Sequence, residues 1–393
     1  PYWLENPLDG ALFSVPNQYK IGIPFSSQII QGDLTFSIAD QQFKMPVQLF
    51  YKYNDQVDGE IKQPFTLVPE IDLSISKDNV FLVSGADPTV TITVNFRDQI
   101  RDGNLDFEGL DSTQVRILSI EDISFQKKRV FKVAFLPKTA GKKVITARFT
   151  TSSGKSYDQI TKQITYKHIP NLTYFSPASI NLIQADWKVS GEKIGYIPGA
   201  GDDVPGVLSA LGYKVTMIGA EDYSVDYLSQ FKAIVVGIRA YNTNSDLAAN
   251  QQVLMGYVRA GGNLIVQYNT NSPLLTSQLG PYPFTVGRDR VTVQESPVEL
   301  SPDSPIVKGP NQITQEDFNG WVQERGLYFA SNPDPHYQQP FTMQDPGENP
   351  SKGALIHAQI ENGNYVYTGI SFFRQLPSGV PGAIKLFINL IEQ

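Results

Sequence analysis

At His168-Ile169-Pro170 the hydrophobic pattern of the chain changes its period, and this change constrains the fold more than any other feature. Before it, β-branched runs recur: Val90-Thr91-Ile92-Thr93-Val94-Asn95-Phe96, Val115-Arg116-Ile117-Leu118, Val130-Phe131-Lys132-Val133-Ala134-Phe135 and Val144-Ile145-Thr146-Ala147-Arg148-Phe149. Alternation of period two puts every second side chain on one face of a strand. Turn residues such as Lys138-Thr139-Ala140-Gly141 divide these runs. After it, short apolar runs alternate with stretches of helical period, each followed by glycine (Gly212, Gly261-Gly262). Strand–helix–strand repetition of that kind builds parallel βαβ units.

In detail, the second half reads as strands Ile194–Ile197, Lys214–Ile218, Ala233–Ile238 and Asn263–Tyr268. Between them lie a helix from Val204 to Leu211, a short acidic helix near Tyr223 to Phe231, and a helix from about Asp246 to Arg259. A β-rich, irregular insertion from about Leu279 to Pro350 follows, then strands Ala354–Ile360 and Asn364–Ile370 and a closing helix Gly382–Ile391. The first 70 residues carry no helical period and read as short strands, among them Lys20–Pro24, Asp33–Ile38 and Pro46–Tyr51. The expected organisation is a small β domain (1–70), an immunoglobulin-like β-sandwich (71–168) and a three-layer α/β/α domain of flavodoxin-like type (169–393).

Composition narrows the function. With 32 Lys+Arg against 39 Asp+Glu among 393 residues the net charge is −7, and the one basic cluster, Lys127-Lys128-Arg129, sits in a strand-like stretch. Nucleic acid is not an expected partner. The chain has no cysteine, which removes thiol nucleophiles, thiolate metal sites and disulfides and permits an oxidising compartment. No apolar run approaches the roughly 20 residues of a membrane span. The chain opens on Pro1 and not Met, as expected of a processed or excised fragment with any targeting segment or further domain upstream.

Open parallel sheets bind ligands at the carboxyl ends of their strands, so the residues there are the candidates. They are Asp202 and Asp203 after the first strand, Arg239, Tyr241 and Asn242 after the third, Tyr268, Asn269 and Asn271 after the fourth, and Phe372 and Arg374 after the last. Trp321 and Glu324 in Gly320-Trp321-Val322-Gln323-Glu324-Arg325-Gly326 add a stacking face and a carboxylate. Two arginines, amides and aromatic faces suit a sugar or a carboxylate better than a redox cofactor, and no cofactor is expected. Each residue also has a structural reading: Asp202 or Asp203 as a cap for the helix at Val204, the asparagines as turn formers, Trp321 as core, and Arg239 or Arg374 in a salt bridge. The three histidines, His168, His336 and His357, have no metal-ligand spacing, and there is no G-x-S-x-G elbow.

Several longer segments carry a family resemblance. Tyr196-Ile197-Pro198-Gly199-Ala200-Gly201-Asp202-Asp203-Val204-Pro205, Val235–Asn244, Gly261–Thr270, Gly320–Phe329 and Tyr367–Pro377 resemble the C-terminal region of large PIG-L (LmbE-like) N-acetylglucosaminyl deacetylases of Bacteroidetes type. The resemblance extends to Pro1-Tyr2-Trp3-Leu4, Pro46-Val47 with Tyr51-Lys52, Gly59-Glu60 and His168-Ile169-Pro170. In that family a zinc domain with a His-Pro-Asp-Asp motif and a later histidine pair does the chemistry; neither is present here. The α/β domain also resembles the trehalose-utilisation (ThuA-like) branch of the class I glutamine amidotransferase-like fold, without its nucleophilic cysteine or its His-x-Glu pair: Gln267-Tyr268-Asn269 and Phe373-Arg374 stand at those places.

The resemblance implies a non-catalytic accessory region of a secreted or periplasmic deacetylase, partnered by the upstream catalytic domain of the same polypeptide and by a glycan held at the strand ends. The chain alone is not expected to be an enzyme or to bind a metal. Two alternatives stand beside this: a metal-independent hydrolase using Asp202, Asp203 or Glu324, and a purely structural or dimerisation scaffold.

Overall fold

The computed structural model describes residues 1–6, 12–26, 29–136 and 140–393. Strand makes up 38% and helix 17%, so the protein is multidomain and β-rich. It divides into two compact units, and each is built from separate stretches of chain. The first comprises Pro1–Asp78, Val90–Ala134 and Val144–Ile180, and the second Asn79–Thr89, Phe135–Lys143 and Asn181–Gln393.

The first unit is antiparallel. Strands Ile71–Ile75, Thr89–Phe96, Lys128–Phe135 and Val115–Ile123 form one sheet in that order. Strand Gly141–Thr151 pairs with Gly103–Glu108 and with Ser156–Tyr157 in another. Alternation decides which side chains meet: Val90, Ile92, Val94 and Phe96 from one strand are buried, as are Ile145, Ala147 and Phe149 from another. Phe149 stands edge-on to Phe96, with ring centroids 5.7 Å apart. Arg129 is occupied by Asp122, at 2.6 and 2.9 Å, so the basic cluster is partly neutralised within the fold.

Nearer the N-terminus the strand expected at Lys20–Pro24 is absent. Asn17 accepts from the Tyr19 N–H at 3.1 Å and caps a 3₁₀ turn over Gln18–Lys20 instead. Two hairpins follow, Gln31–Ile38 with Gln41–Gln48 and Phe50–Asp55 with Gly59–Pro64. In the first, Phe36 lies opposite Phe43 and Leu34 opposite Met45, and all four are exposed. The turn residues Lys138 and Thr139 lie outside the described residues.

The second unit is built on a six-stranded sheet. Its strands are β1 (Lys193–Ile197), β2 (Lys214–Met217), β3 (Ala233–Val236), β4 (Asn263–Gln267), β5 (Leu355–Ile360) and β6 (Gly363–Thr368), in the order β2-β1-β3-β4-β6-β5. All neighbours are parallel except β5, which runs antiparallel to β6 at the edge. Helices α1 (Val204–Ala210), α2 (Val225–Leu228), α3 (Ala240–Thr243), α4 (Ser245–Ala249) and α5 (Gln251–Arg259) follow the first three strands, and α6 (Pro305–Lys308), α7 (Phe372–Gln375) and α8 (Pro381–Ile391) come later. The helix expected over 246–259 is split at Asn250, whose side chain donates to the Asp246 carbonyl.

Both faces of this sheet are covered at its centre, which is why β3 is apolar and buried throughout, whereas the edge strand β2 is largely exposed. Val235, Ile265 and Val366 share one core with Leu208 of α1 and Leu386 of α8. Their neighbours Ile234, Leu264 and Tyr365 point the other way, into a core with Leu228 of α2 and Leu254 of α5. Gly212 and Gly261, with φ of +101° and +107°, end the helices before β2 and β4 in a backbone conformation open to glycine.

The insertion between β4 and β5 contributes three short antiparallel pairs, Thr285–Val286 with Ala330–Ser331, Arg290–Val291 with Gly326–Leu327, and Val298–Leu300 with Phe341–Met343. Buried polar groups fasten it down. Asn389 of α8, fully buried, donates to the Ile306 and Asn311 carbonyls at 2.8 and 2.6 Å and accepts from the Asn311 N–H at 3.0 Å. Asn389→Ala strands all three backbone groups and is expected to lower stability by about 2–4 kcal/mol, seen as a shifted urea midpoint with the circular dichroism of the folded state retained.

Candidate functional site

The carboxyl ends of the parallel strands are held together by one side chain. Asp202, after β1, accepts from the Tyr196 hydroxyl at 2.6 and 2.7 Å, from the Val204 N–H at 3.0 Å and from the Ile238 N–H at 3.3 Å. Burial and the Asp202 charge together raise the Tyr196 hydroxyl far above its usual pKa, so it stays protonated, donating to Asp202 while accepting from the Gln267 side-chain amide at 3.2 Å. Gly199 sits so close to the Ile238 carbonyl and Ala240 that a β-carbon there would overlap backbone atoms. The chain after β3 is thereby pinned, and Arg239 turns it into α3 with φ of +55°, a left-handed conformation costly for a residue with a side chain. Its N–H donates to the Tyr268 carbonyl at 2.8 Å, and its guanidinium, exposed, makes no hydrogen bond or ion pair among the described residues.

Around Tyr268 the structure gathers aromatic rings and charges. Its ring lies parallel to Tyr328, at 5.9 Å and 6°, and 5.2 Å from Phe373. The Arg374 guanidinium stands over Phe373 at 4.9 Å, and its Nε donates to Glu324 at 2.9 Å. Glu324 also accepts from the Ser371 hydroxyl at 3.0 Å. Burial raises the Tyr268 phenol, and the cations of Arg239 and Arg374 oppose that shift. Beside this cluster opens a pocket of about 400 Å³ walled by Asn271, Arg288, Arg290, Thr292, Glu324 and Tyr328.

Several of the expected ligand residues are committed to the fold instead. Tyr241 is fully buried with its hydroxyl on Gln251. Asn269, also fully buried, accepts from the Tyr241 N–H at 2.9 Å and donates to the Gln267 carbonyl. Asn242 bonds Thr270 through both its oxygen and its nitrogen, tying the β3 and β4 loops together. Phe372 is core, stacked edge-on against Phe387. Trp321 is buried against Phe318, with its indole N–H on the Asp317 carbonyl. Asp203 is exposed at the N-cap of α1 without a side-chain bond, and the neighbouring Asp202 makes the bond to Val204. The salt bridge foreseen for Arg374 forms with Glu324 and not with Asp202 or Asp203.

Arg239, Tyr268, Asn271 and Arg374 remain around the site. Arg288, Arg290, Thr292, Tyr328 and Phe373 join them without having been singled out from the sequence. All but Phe373 come from the insertion, where no periodicity places a residue. The one available signal was the arginine pair in Gly287-Arg288-Asp289-Arg290.

The insertion's wall is set by two further buried groups. Arg325, 3% exposed, donates to the Ser296 carbonyl at 3.1 and 2.8 Å and to the Phe318 carbonyl at 2.6 Å, with Trp321 and Phe318 packed on its face. Burial pulls its pKa down to about 10, so it stays charged at neutral pH. Asp345 accepts from the Thr292 and Val293 N–H groups, both at 2.8 Å, from the Thr292 hydroxyl at 2.7 Å and from the Ser296 hydroxyl at 3.4 Å. Among the described residues no group of three or more His, Asp or Glu side chains could hold a metal ion, and no helix is long and apolar enough to cross a membrane.

No family model matches this chain, and no curated protein does. Among solved structures a β-galactosidase from Rahnella sp. R3 is similar over 51% of this chain, at 16% identity and a TM-score of 0.29. The matched part spans 31% of that enzyme. A likeness of this degree carries nothing about function.

Burial raises the Asp345 carboxyl, but the four hydrogen bonds outweigh it and leave its folded pKa below the usual value. Its contribution to stability is therefore present at neutral pH and lost as pH falls below about 4. Asp345→Asn is expected to destabilise by about 1–3 kcal/mol at pH 7, the gap to wild type narrowing towards pH 3 in urea titrations.

Proposed function

We propose that this chain is a non-catalytic accessory region that binds carbohydrate at the strand ends of its α/β domain, and that it serves a secreted or periplasmic N-acetylglucosaminyl deacetylase domain lying upstream in the same polypeptide. The finer fold belongs to the same reading: an immunoglobulin-like sandwich followed by a flavodoxin-like domain of the amidotransferase-like, ThuA-like kind. The strand order β2-β1-β3-β4, with helices on both faces, supports the second part. Two sheets whose strands bury alternate side chains, as Thr89–Phe96 does in one and Gly141–Thr151 in the other, support the first.

The observation that carries the binding reading is Arg239. A residue with a side chain is held in a left-handed conformation by the packing of Gly199 and the Asp202 bonds, and the guanidinium so placed has no partner within the described protein. Strain kept at a strand end is a mark of a functional position. Tyr328 and Phe373, both half-buried, offer aromatic faces for sugar C–H groups, and Asn271 and Arg374 offer hydrogen bonds.

The carboxylates of the hydrolase alternative are otherwise engaged. Both oxygens of Asp202 accept from backbone and tyrosine donors, and one oxygen of Glu324 accepts from Arg374 and Ser371. Asp203 faces solvent alone.

Calorimetric titration with N-acetylglucosamine oligosaccharides and acidic oligosaccharides is expected to give saturable binding that Arg239→Gly abolishes. Because glycine accepts the left-handed conformation freely, the variant is expected to be as stable as wild type or up to about 1 kcal/mol more stable. Binding that survives in Arg239→Gly rejects the site.

A further inference from the structure

We infer that the sugar taken by this site is acidic, and that its carboxylate or sulfate group sits in the pocket between Arg288 and Tyr328. The inference rests on the carbohydrate reading above and goes further by fixing the charge and the place of the ligand.

The pocket's charges do not cancel. Glu324 is compensated by Arg374, whose Nε it accepts at 2.9 Å. Arg290 reaches Glu348 only at 3.6 Å, through two half-exposed side chains, a contact of the kind worth little in water and readily exchanged. Arg288 is exposed and has no hydrogen bond or ion pair among the described residues. Arg239 has none either, and its charge bears on Tyr268, whose ring stacks on Tyr328 in the pocket wall. Arg288 thus stands uncompensated in the pocket wall, with a second free guanidinium, that of Arg239, acting on the adjoining Tyr268, on a chain whose net charge is −7. Guanidinium binds two oxygens of a carboxylate, or of a tetrahedral oxyanion such as sulfate, through two parallel N–H donors, a geometry that a neutral hydroxyl does not match.

Shape agrees with charge. Arg288 and Arg290 also border a second pocket, of about 570 Å³, lined by Asp289, Asn349 and Ser351 among others. That pocket carries Asp289 and Glu348 beside the two arginines, so it has no surplus of positive charge. An oligosaccharide reaching across both would place its anion on the Tyr328 side and a neutral unit on the Ser351 side. The alternation of acidic and N-acetylated units in a glycosaminoglycan backbone fits that order.

The test compares three hexasaccharides by calorimetry on the full chain: hyaluronan, the same oligomer with its carboxyl groups reduced to alcohols, and chitohexaose. A sulfated, carboxyl-reduced oligomer forms a fourth arm that separates sulfate from carboxylate. At least one anionic oligomer is expected to bind about tenfold or more tightly than the neutral ones, and this preference should fall when NaCl is raised from about 50 to 500 mM. Arg288→Ala should erase the preference and Arg288→Lys restore part of it. Arg288 is exposed and makes no hydrogen bond or ion pair among the described residues, so both variants are expected to retain wild-type stability. Equal binding of acidic and neutral oligomers, or a preference untouched by Arg288→Ala, overturns this inference and leaves the carbohydrate reading standing. No binding by any oligomer overturns both.

Discussion

The carboxylate of Asp202 is the clasp on which the strand-end architecture depends. It joins the chain leaving β1, through Val204, to the chain leaving β3, through Ile238, with the Tyr196 hydroxyl completing its shell. A charge accepting several hydrogen bonds in a half-buried place is strongly held, and losing any one partner would leave it unsatisfied. Because those two chain ends cannot move apart, the turn between β3 and α3 has no relaxed alternative, and Arg239 carries the strain. The position of Arg239 is therefore set through Asp202.

The insertion that supplies the other half of the groove is held in a different way. It has three pairs of very short strands and no sheet of appreciable size, so polar groups do what a ladder would otherwise do. Arg325, Asp345 and Asn389 each satisfy several backbone groups at once from within the protein. Such networks specify one arrangement because every alternative leaves a buried donor or acceptor without a partner. The groove wall carrying Arg288 and Arg290 inherits its position from them.

These two modes of support explain how much the sequence disclosed. Alternation and helical period located the six strands of the second unit's main sheet and the regions of α1, α2, α5 and α8, because burial on both faces of the sheet writes itself into apolar runs such as Ala233–Val236; the short helices α3, α6 and α7 and the insertion's short strands carry no such pattern. The long helix over 246–259 was legible but its break at Asn250 was not, since an asparagine that bonds its own preceding turn looks like any other polar position. The site was legible only in part. Strand-end residues could be collected from the pattern, yet whether an asparagine there faces solvent or bridges two loops depends on tertiary hydrogen bonds: Asn242 and Asn269 do the bridging. Arg288 and Tyr328 lie in chain without period and become neighbours of Tyr268 only through the buried network just described.

The interleaving of the two compact units along the chain has a consequence for how the protein comes into being. Strand Asn79–Leu82 pairs in parallel with Asn181–Gln184, about a hundred residues further on. A ribosome that has released the first has yet to make the second, so this pairing waits on the synthesis of everything between. No single cleavage separates the units either: a cut between Ile180 and Asn181 would leave one product holding Asn79–Leu82 and the other holding its partner. The second unit is thus not a block appended to the end of the first, because its strand Asn79–Leu82 is encoded between two stretches of the first unit's chain.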